Sequence, residues 1–195
     1  MNTPQITEAP LPEASRIRLA LPGADFADCY VAADPAPGLS PMQAWLDTVA
    51  CTPAWTRLLM AWRNRLVRLV GLKDLGGIGE LDARARRKTA AEFRVGDRVG
   101  IFDIRHLSED EVLMGQDDRH LEVQVSLCKR ERLGADGRNE PVIALGTVVH
   151  IHNPLGRAYM GLITPFHRLI APAMLRAGVR AMSRPQADRS PHAPG

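Results

Sequence analysis

Lysine is scarce in this chain of 195 residues: only Lys73, Lys88 and Lys129 contribute to its 25 basic side chains, and the remainder are arginine. Arginine favours bidentate contacts to carboxylate or phosphate, yet a genome's base composition explains the excess more simply. A net charge of +3 is too mild to direct the chain towards nucleic acid. Cysteine is scarce too. Cys29, Cys51 and Cys128 lie far apart with no metal-ligand spacing, and each sits in an apolar or strand-like context, as expected of buried free thiols in a reducing cytoplasm. There is no uninterrupted apolar run long enough for a membrane. The best window, Leu155 to Leu175, is broken by Arg157, His167, Arg168, Pro165 and Pro172. Met1 to Ser15 has no basic stretch followed by an apolar one, so no signal peptide is expected. No serine stands in a nucleophile-elbow context. Gly76-Gly77-Ile78-Gly79 follows a predicted helix and opens no convincing one, so it is not a dinucleotide fingerprint.

What is present is the ordinary patterning of one globular domain, 45% apolar and 24% charged. Residues 1–15 read as a mobile lead-in, 16–182 as the domain and 183–195 as a disordered tail. Ile17 to Leu21 is expected to be a short extended piece, and Ala24 to Ala33 a strand bounded by Pro22-Gly23 and Asp34-Pro35. Ser40-Pro41-Met42-Gln43 has the form of a capping box and opens a short helix ending near Cys51. Thr52-Pro53 repeats the signal and opens a second helix to about Val70, with Trp55, Leu58, Leu59, Trp62, Leu66 and Leu69 on its apolar side. Gly76 to Lys88 reads as loop.

The period then switches to two. Arg98 to Leu107 and Glu111 to Gln116 read as partner strands. Leu121, Val123, Val125 and Leu127 alternate with polar residues as a half-buried strand. A turn at Ala135-Asp136-Gly137-Arg138 leads into Val142 to His152. Asn153 as N-cap and Pro154 at the first helical position start a long terminal helix, whose core stripe is read as Leu155, Tyr159, Leu162, Phe166, Leu169 and Ala173. Pro165 and Pro172 predict either a fresh start at Thr164 or bends. One arrangement buries all these faces: an α+β fold in which a curved antiparallel sheet wraps a long C-terminal helix, with the early helices closing one end.

The segments Arg63-Asn64, Asp117-Asp118-Arg119-His120-Leu121, His152-Asn153 with Gly156-Arg157 and Tyr159, and Pro165-Phe166-His167-Arg168 resemble a bacterial family of uncharacterised domains. Members of that family stand alone or sit behind an NAD(P)-binding domain of short-chain-reductase type. The element order also resembles the helix-grip superfamily of START domains, polyketide cyclases and plant allergens, which hold small apolar molecules. The resemblance covers roughly residues 24 to 182. It implies a fold and transfers no catalytic residue.

His150 and His152 share one face of their strand, a spacing zinc ligands use. The opposite parity, Leu145, Thr147, Val149 and Ile151, is the better core, so both rings are expected at solvent or at the strand end, and no metal or cofactor is predicted. Asp118 with His120 or His167 offers a general acid/base pair, whereas the plainer reading of 117–120 is a charged turn. Arg119 shares the parity of Leu121 and is expected to project inward towards Asp103, Glu111 or a ligand carboxylate. The arginines at 157, 168, 176, 180, 184 and 189 suit the helix dipole without implying nucleic-acid or membrane contact.

The preferred expectation is therefore a small apolar or amphipathic ligand held between the sheet and the terminal helix. Its walls would be Trp45, Trp55, Trp62, Phe102, Tyr159 and Phe166. Its polar anchors would come from Arg63, Arg119, His152, Arg157 and His167. The alternatives are an enzyme of cyclase, isomerase or hydrolase type, and a module that docks on a reductase-like partner.

Overall fold

A computed structural model describes residues 3–51, 55, 88–134 and 137–184. Its centre is a seven-stranded, curved, wholly antiparallel sheet in the order β1-β2-β7-β6-β5-β4-β3. The strands are β1 (Thr7–Glu8), β2 (Phe26–Ala33), β3 (Arg98–Val99), β4 (Phe102–Leu107), β5 (Glu111–Asp117), β6 (Leu121–Leu133) and β7 (Asn139–Ile151). Two α-helices are described, α1 (Pro41–Ala50) and α2 (Pro154–Met182). The expected class, α+β with a sheet against a long C-terminal helix, is what the chain adopts.

Local chemistry accounts for the element boundaries. Ser40 accepts the Gln43 N–H and Pro41 takes the first position of α1. Asn153 accepts the Gly156 N–H at 3.0 Å with Pro154 behind it, so α2 starts where its cap and proline require. Neither proline then stops α2, which runs unbroken for 29 residues. A proline removes the bond to the carbonyl four residues earlier. Those carbonyls belong to Gly161 and Arg168, both exposed, where solvent can satisfy them.

Four local expectations are corrected. The segment Arg16–Ala20 is a 3-10 turn and not an extended piece. Arg98 to Leu107 is not one strand: Gly100, with φ +64, folds it into the β3–β4 hairpin. The polar face of β6 is not wet throughout. Leu11 and Ile17 lie across the outer sheet face and bury Cys29, Val31, Leu113, Cys128, Ala144 and Val148 there. The stripe read for α2 is also displaced. Its buried residues are Gly156, Ile170, Ala171, Met174, Leu175, Gly178, Val179 and Met182, while Leu162, Phe166 and Leu169 are exposed. At 100° per residue the two lines lie about two-fifths of a turn apart. Small residues decide between them, because Gly156 and Gly178 allow close approach where a larger side chain would hold the helix off. The helix predicted from Thr52-Pro53 lies outside the described residues, apart from Trp55.

The main core is therefore the inner sheet face, α1 and the C-terminal half of α2. Nearer its N-terminus α2 meets β2 through His167 and Asp28.

Candidate functional site

Alternation along β2 sends Phe26, Asp28, Tyr30 and Ala32 to the inner face. Three of these suit a core, and Asp28 is the exception. Its register neighbours extend the row across the sheet: Asp28 opposite Thr147, Thr147 opposite Val125, and Val125 opposite Met114. The Asp28 side chain is only 3% exposed, and no lysine or arginine among the described residues pairs with it. A buried carboxylate needs a partner. That partner is His167, which reaches down from α2.

The imidazole Nε2 lies 2.9 Å from Asp28 Oδ2 and 3.2 Å from Oδ1. Its N–H is aligned on Oδ1, which leaves Oδ2 buried beside the ring with no aligned donor. The Phe26 ring meets the imidazole edge-on, with centroids 5.5 Å apart, and fixes its plane. Tyr30 lies one step along the same face. Burial first, then the charges of Asp28 and Glu8 and a hydrogen bond with Asp28, push its phenol up to about 12, so the hydroxyl stays protonated. Arg168 opposes that shift from α2.

Beside this polar pair the inner face is apolar and incompletely covered. Val123 and Val125 of β6 and Gln116 of β5 are half-buried. On α2, Tyr159, Met160, Ile163 and His167 are also half-buried. An open groove of about 510 Å³ lies along the β1–β2 edge, lined by Glu8, Leu11, Arg18, Asp28 and Cys29 among others. Leu11 and Cys29 belong to the outer face.

The other expected site residues are scattered. Trp45 and Phe102 are buried against each other in the main core, centroids 6.5 Å apart, and are packing residues. Trp55 is exposed; Trp62 and Arg63 lie outside the described residues. Phe166 and Arg157 are exposed on α2, and among the described residues His167 alone of the predicted anchors meets a buried partner. Arg119 does not project inward. The chain leaves strand geometry at Asp118, so Arg119 sits exposed in the β5–β6 turn and its carbonyl accepts from Asn153 Nδ2. Of its expected partners, Asp103 is exposed, and Glu111 is engaged on the outer face by Ser15, Ser126 and the Arg16 N–H.

The charged turn itself is structural. Asp118 Oδ1 accepts the His120 and Leu121 N–H groups at 2.6 and 3.0 Å, and His120 Nδ1 faces the Asn153 amide. His150 donates to the Ala20 carbonyl at 2.7 Å, and His152 to the Asp118 carbonyl at 2.9 Å. Among the described residues no group of three or more His, Cys, Asp or Glu side chains is placed to hold a metal ion. No helix among them is long and apolar enough to cross a membrane.

Asp28 and Tyr30 were not singled out in the sequence. The available signal was the alternation of Phe26-Ala27-Asp28-Cys29-Tyr30, which puts a carboxylate between two aromatics on a core-facing edge.

The family described as protein of unknown function (DUF2867) matches residues 20–174. No curated protein and no solved structure matches the chain.

Proposed function

The chain belongs to that family, DUF2867, and from this starting point we propose that it holds a small apolar or amphipathic molecule between the inner sheet face and the N-terminal half of α2. The observation that carries the reading is the Asp28–His167 pair, a buried carboxylate under a partly exposed imidazole, set in an apolar face. An apolar surface with a few fixed polar groups is how small-molecule sites obtain both affinity and orientation. The half-buried Val123, Val125 and Ile163 supply the apolar part. The polar group a ligand can reach is His167, whose side chain is 25% exposed against 3% for Asp28, so a neutral alcohol, phenol or ketone fits better than a fatty acid, whose carboxylate would lie against that of Asp28.

The test is titration with an alkyl alcohol carrying a nitrobenzoxadiazole fluorophore. The expected result is saturable one-site binding, weakened at least about tenfold in Asp28→Asn and in Val125→Trp, which fills the face. Non-saturable binding, or equal binding by both variants, rejects the reading. A docking role towards a reductase-like protein draws on a different observation, the exposed line Leu162, Phe166 and Leu169. It requires that Phe166→Glu abolish co-purification of such a partner from the native host while leaving probe binding intact.

A further inference from the structure

We propose that His167, oriented by Asp28, is a general acid/base that moves a proton on a carbonyl-bearing ligand in this site; the proposal rests on the binding reading above. The tautomer carries the argument. A carboxylate is acceptor-only, so the imidazole nitrogen facing Asp28 must hold the ring proton. That nitrogen is Nε2, 2.9 Å from Oδ2. In the neutral ring Nδ1 is then the acceptor, and among the described residues it has no hydrogen-bond partner.

A histidine that serves only to tie α2 to β2 needs one ring nitrogen. The other three described histidines with bonded rings spend theirs on backbone carbonyls or a cap: His150 on Ala20, His152 on Asp118 and His120 on Asn153. Among the described histidines His167 is the one whose bonded nitrogen faces a buried carboxylate. Its side chain is 25% exposed, against 3% for Asp28, so the free nitrogen can be reached while its orienting group cannot. Phe26 fixes the ring plane. A base in hydrogen-bond reach of its substrate and held by a third group is the arrangement general-base chemistry uses.

The ligand class follows from what surrounds the dyad. The strand residues on the dyad's side of the sheet are otherwise apolar, Phe26 and Ala32 on β2 and Val123 and Val125 on β6, which suits a proton shift on a neutral molecule. The substrate is a largely apolar ketone with a C–H next to its carbonyl. Nδ1 takes the proton; the C–H electron pair becomes the C=C bond of the enolate, and the carbonyl oxygen takes the negative charge. Asp28 stabilises the imidazolium that results. The same nitrogen returns a proton to the original or the conjugated carbon, so atoms and charge balance with no co-reactant. Asp28 and Tyr30 are positioning residues in this scheme.

The test uses the full chain with 2-tetralone in deuterated buffer, reading exchange at the carbon beside the carbonyl by NMR and binding by ligand-observed saturation transfer. The expected result is exchange faster than in buffer alone, falling at least a hundredfold in His167→Gln with binding changed only a few fold; Asp28→Asn, which also weakens binding, loses less of the rate per bound ligand. Tyr30→Phe, which keeps the ring, is expected to bind normally and lose only part of the rate. Binding with exchange equal to buffer, or unaffected by His167→Gln, overturns the dyad and leaves the binding reading standing. Absence of both binding and exchange overturns the two together.

Discussion

A Cβ built on Gly178 would lie 2.3 Å from Thr48 Oγ1 and 3.0 Å from Thr48 Cα, so α1 and α2 meet there with no room for a side chain. Thr48 cannot swing away freely, because its hydroxyl donates to the Ala44 carbonyl at 2.7 Å. In an isolated helix Gly→Ala gains about 1 kcal/mol of propensity. Forcing a methyl into a packed core costs about 1–3 kcal/mol, and with backbone among the atoms it meets the clash wins. Gly178→Ala is therefore expected to lower the urea midpoint; an unchanged or higher midpoint contradicts this packing.

Glu111 sits under the outer face, 2% exposed, accepting from the Ser15 and Ser126 hydroxyls and from the Arg16 N–H. It fastens the N-terminal crossing segment to β5 and β6. Replacement by alanine leaves the buried Ser15 and Ser126 hydroxyls without this acceptor, at roughly 1–3 kcal/mol for each group left unsatisfied. Glu111→Ala should lose at least about 2 kcal/mol in denaturant unfolding, and Ser15→Ala distinctly less, since it removes one donor and orphans no charge.

Lys129 and Asp34 form a buried ion pair at 3.2 Å, and the ammonium also donates to the Ala36 carbonyl at 2.7 Å. Breaking such a pair from one side strands a charge and costs about 3–5 kcal/mol. Lys129→Met should fall in that range, while Lys129→Met combined with Asp34→Asn should recover a large part of it. Additive losses in the double-mutant cycle would show that the two charges are not coupled.

Alkaline pH should destabilise the fold. Burial, as the largest cause, pushes the thiols of Cys29 and Cys128 from 9.0 up to about 12, and the Tyr30 phenol from 10.0 up to about 12. Between the unfolded and folded values the native state binds more protons, so stability falls with rising pH. The contribution is complete below pH 9 and is lost towards pH 12. Urea midpoints should hold level from pH 7 to 8.5 and decline above. In native protein at pH 8 a thiol reagent should modify Cys51, which is exposed, and reach the two buried cysteines only with unfolding.

Features set by neighbouring residues were legible in the sequence. The Ser40 and Asn153 caps, the strand parity of β7 and the long terminal helix all follow from interactions a few positions apart. Arg119 was misread because strand alternation was carried one turn too far: Asp118 already caps the turn, and a residue outside a strand has no face. The stripe on α2 was misread because the helix is apolar on more than one side, and Gly178 against Thr48, 130 positions away, selects the side that packs. Asp28 went unnoticed for the same kind of reason. Its meaning depends on His167, 139 positions further on, and no local pattern joins them.

The paired lengths within the sheet set an order of assembly. β6 and β7 are joined by a short connection and match over thirteen residue pairs, from Leu133 with Asn139 outward to Leu121 with Ile151. Such a hairpin closes cheaply, because little chain entropy is lost before its contacts form. β2 reaches β7 only by bridging more than a hundred positions, from Ala33 to Val142. The strand that carries Asp28 is thus recruited late in folding, onto a hairpin already in place, and the acid/base pair comes into being only when the N-terminal and C-terminal thirds of the chain have both arrived.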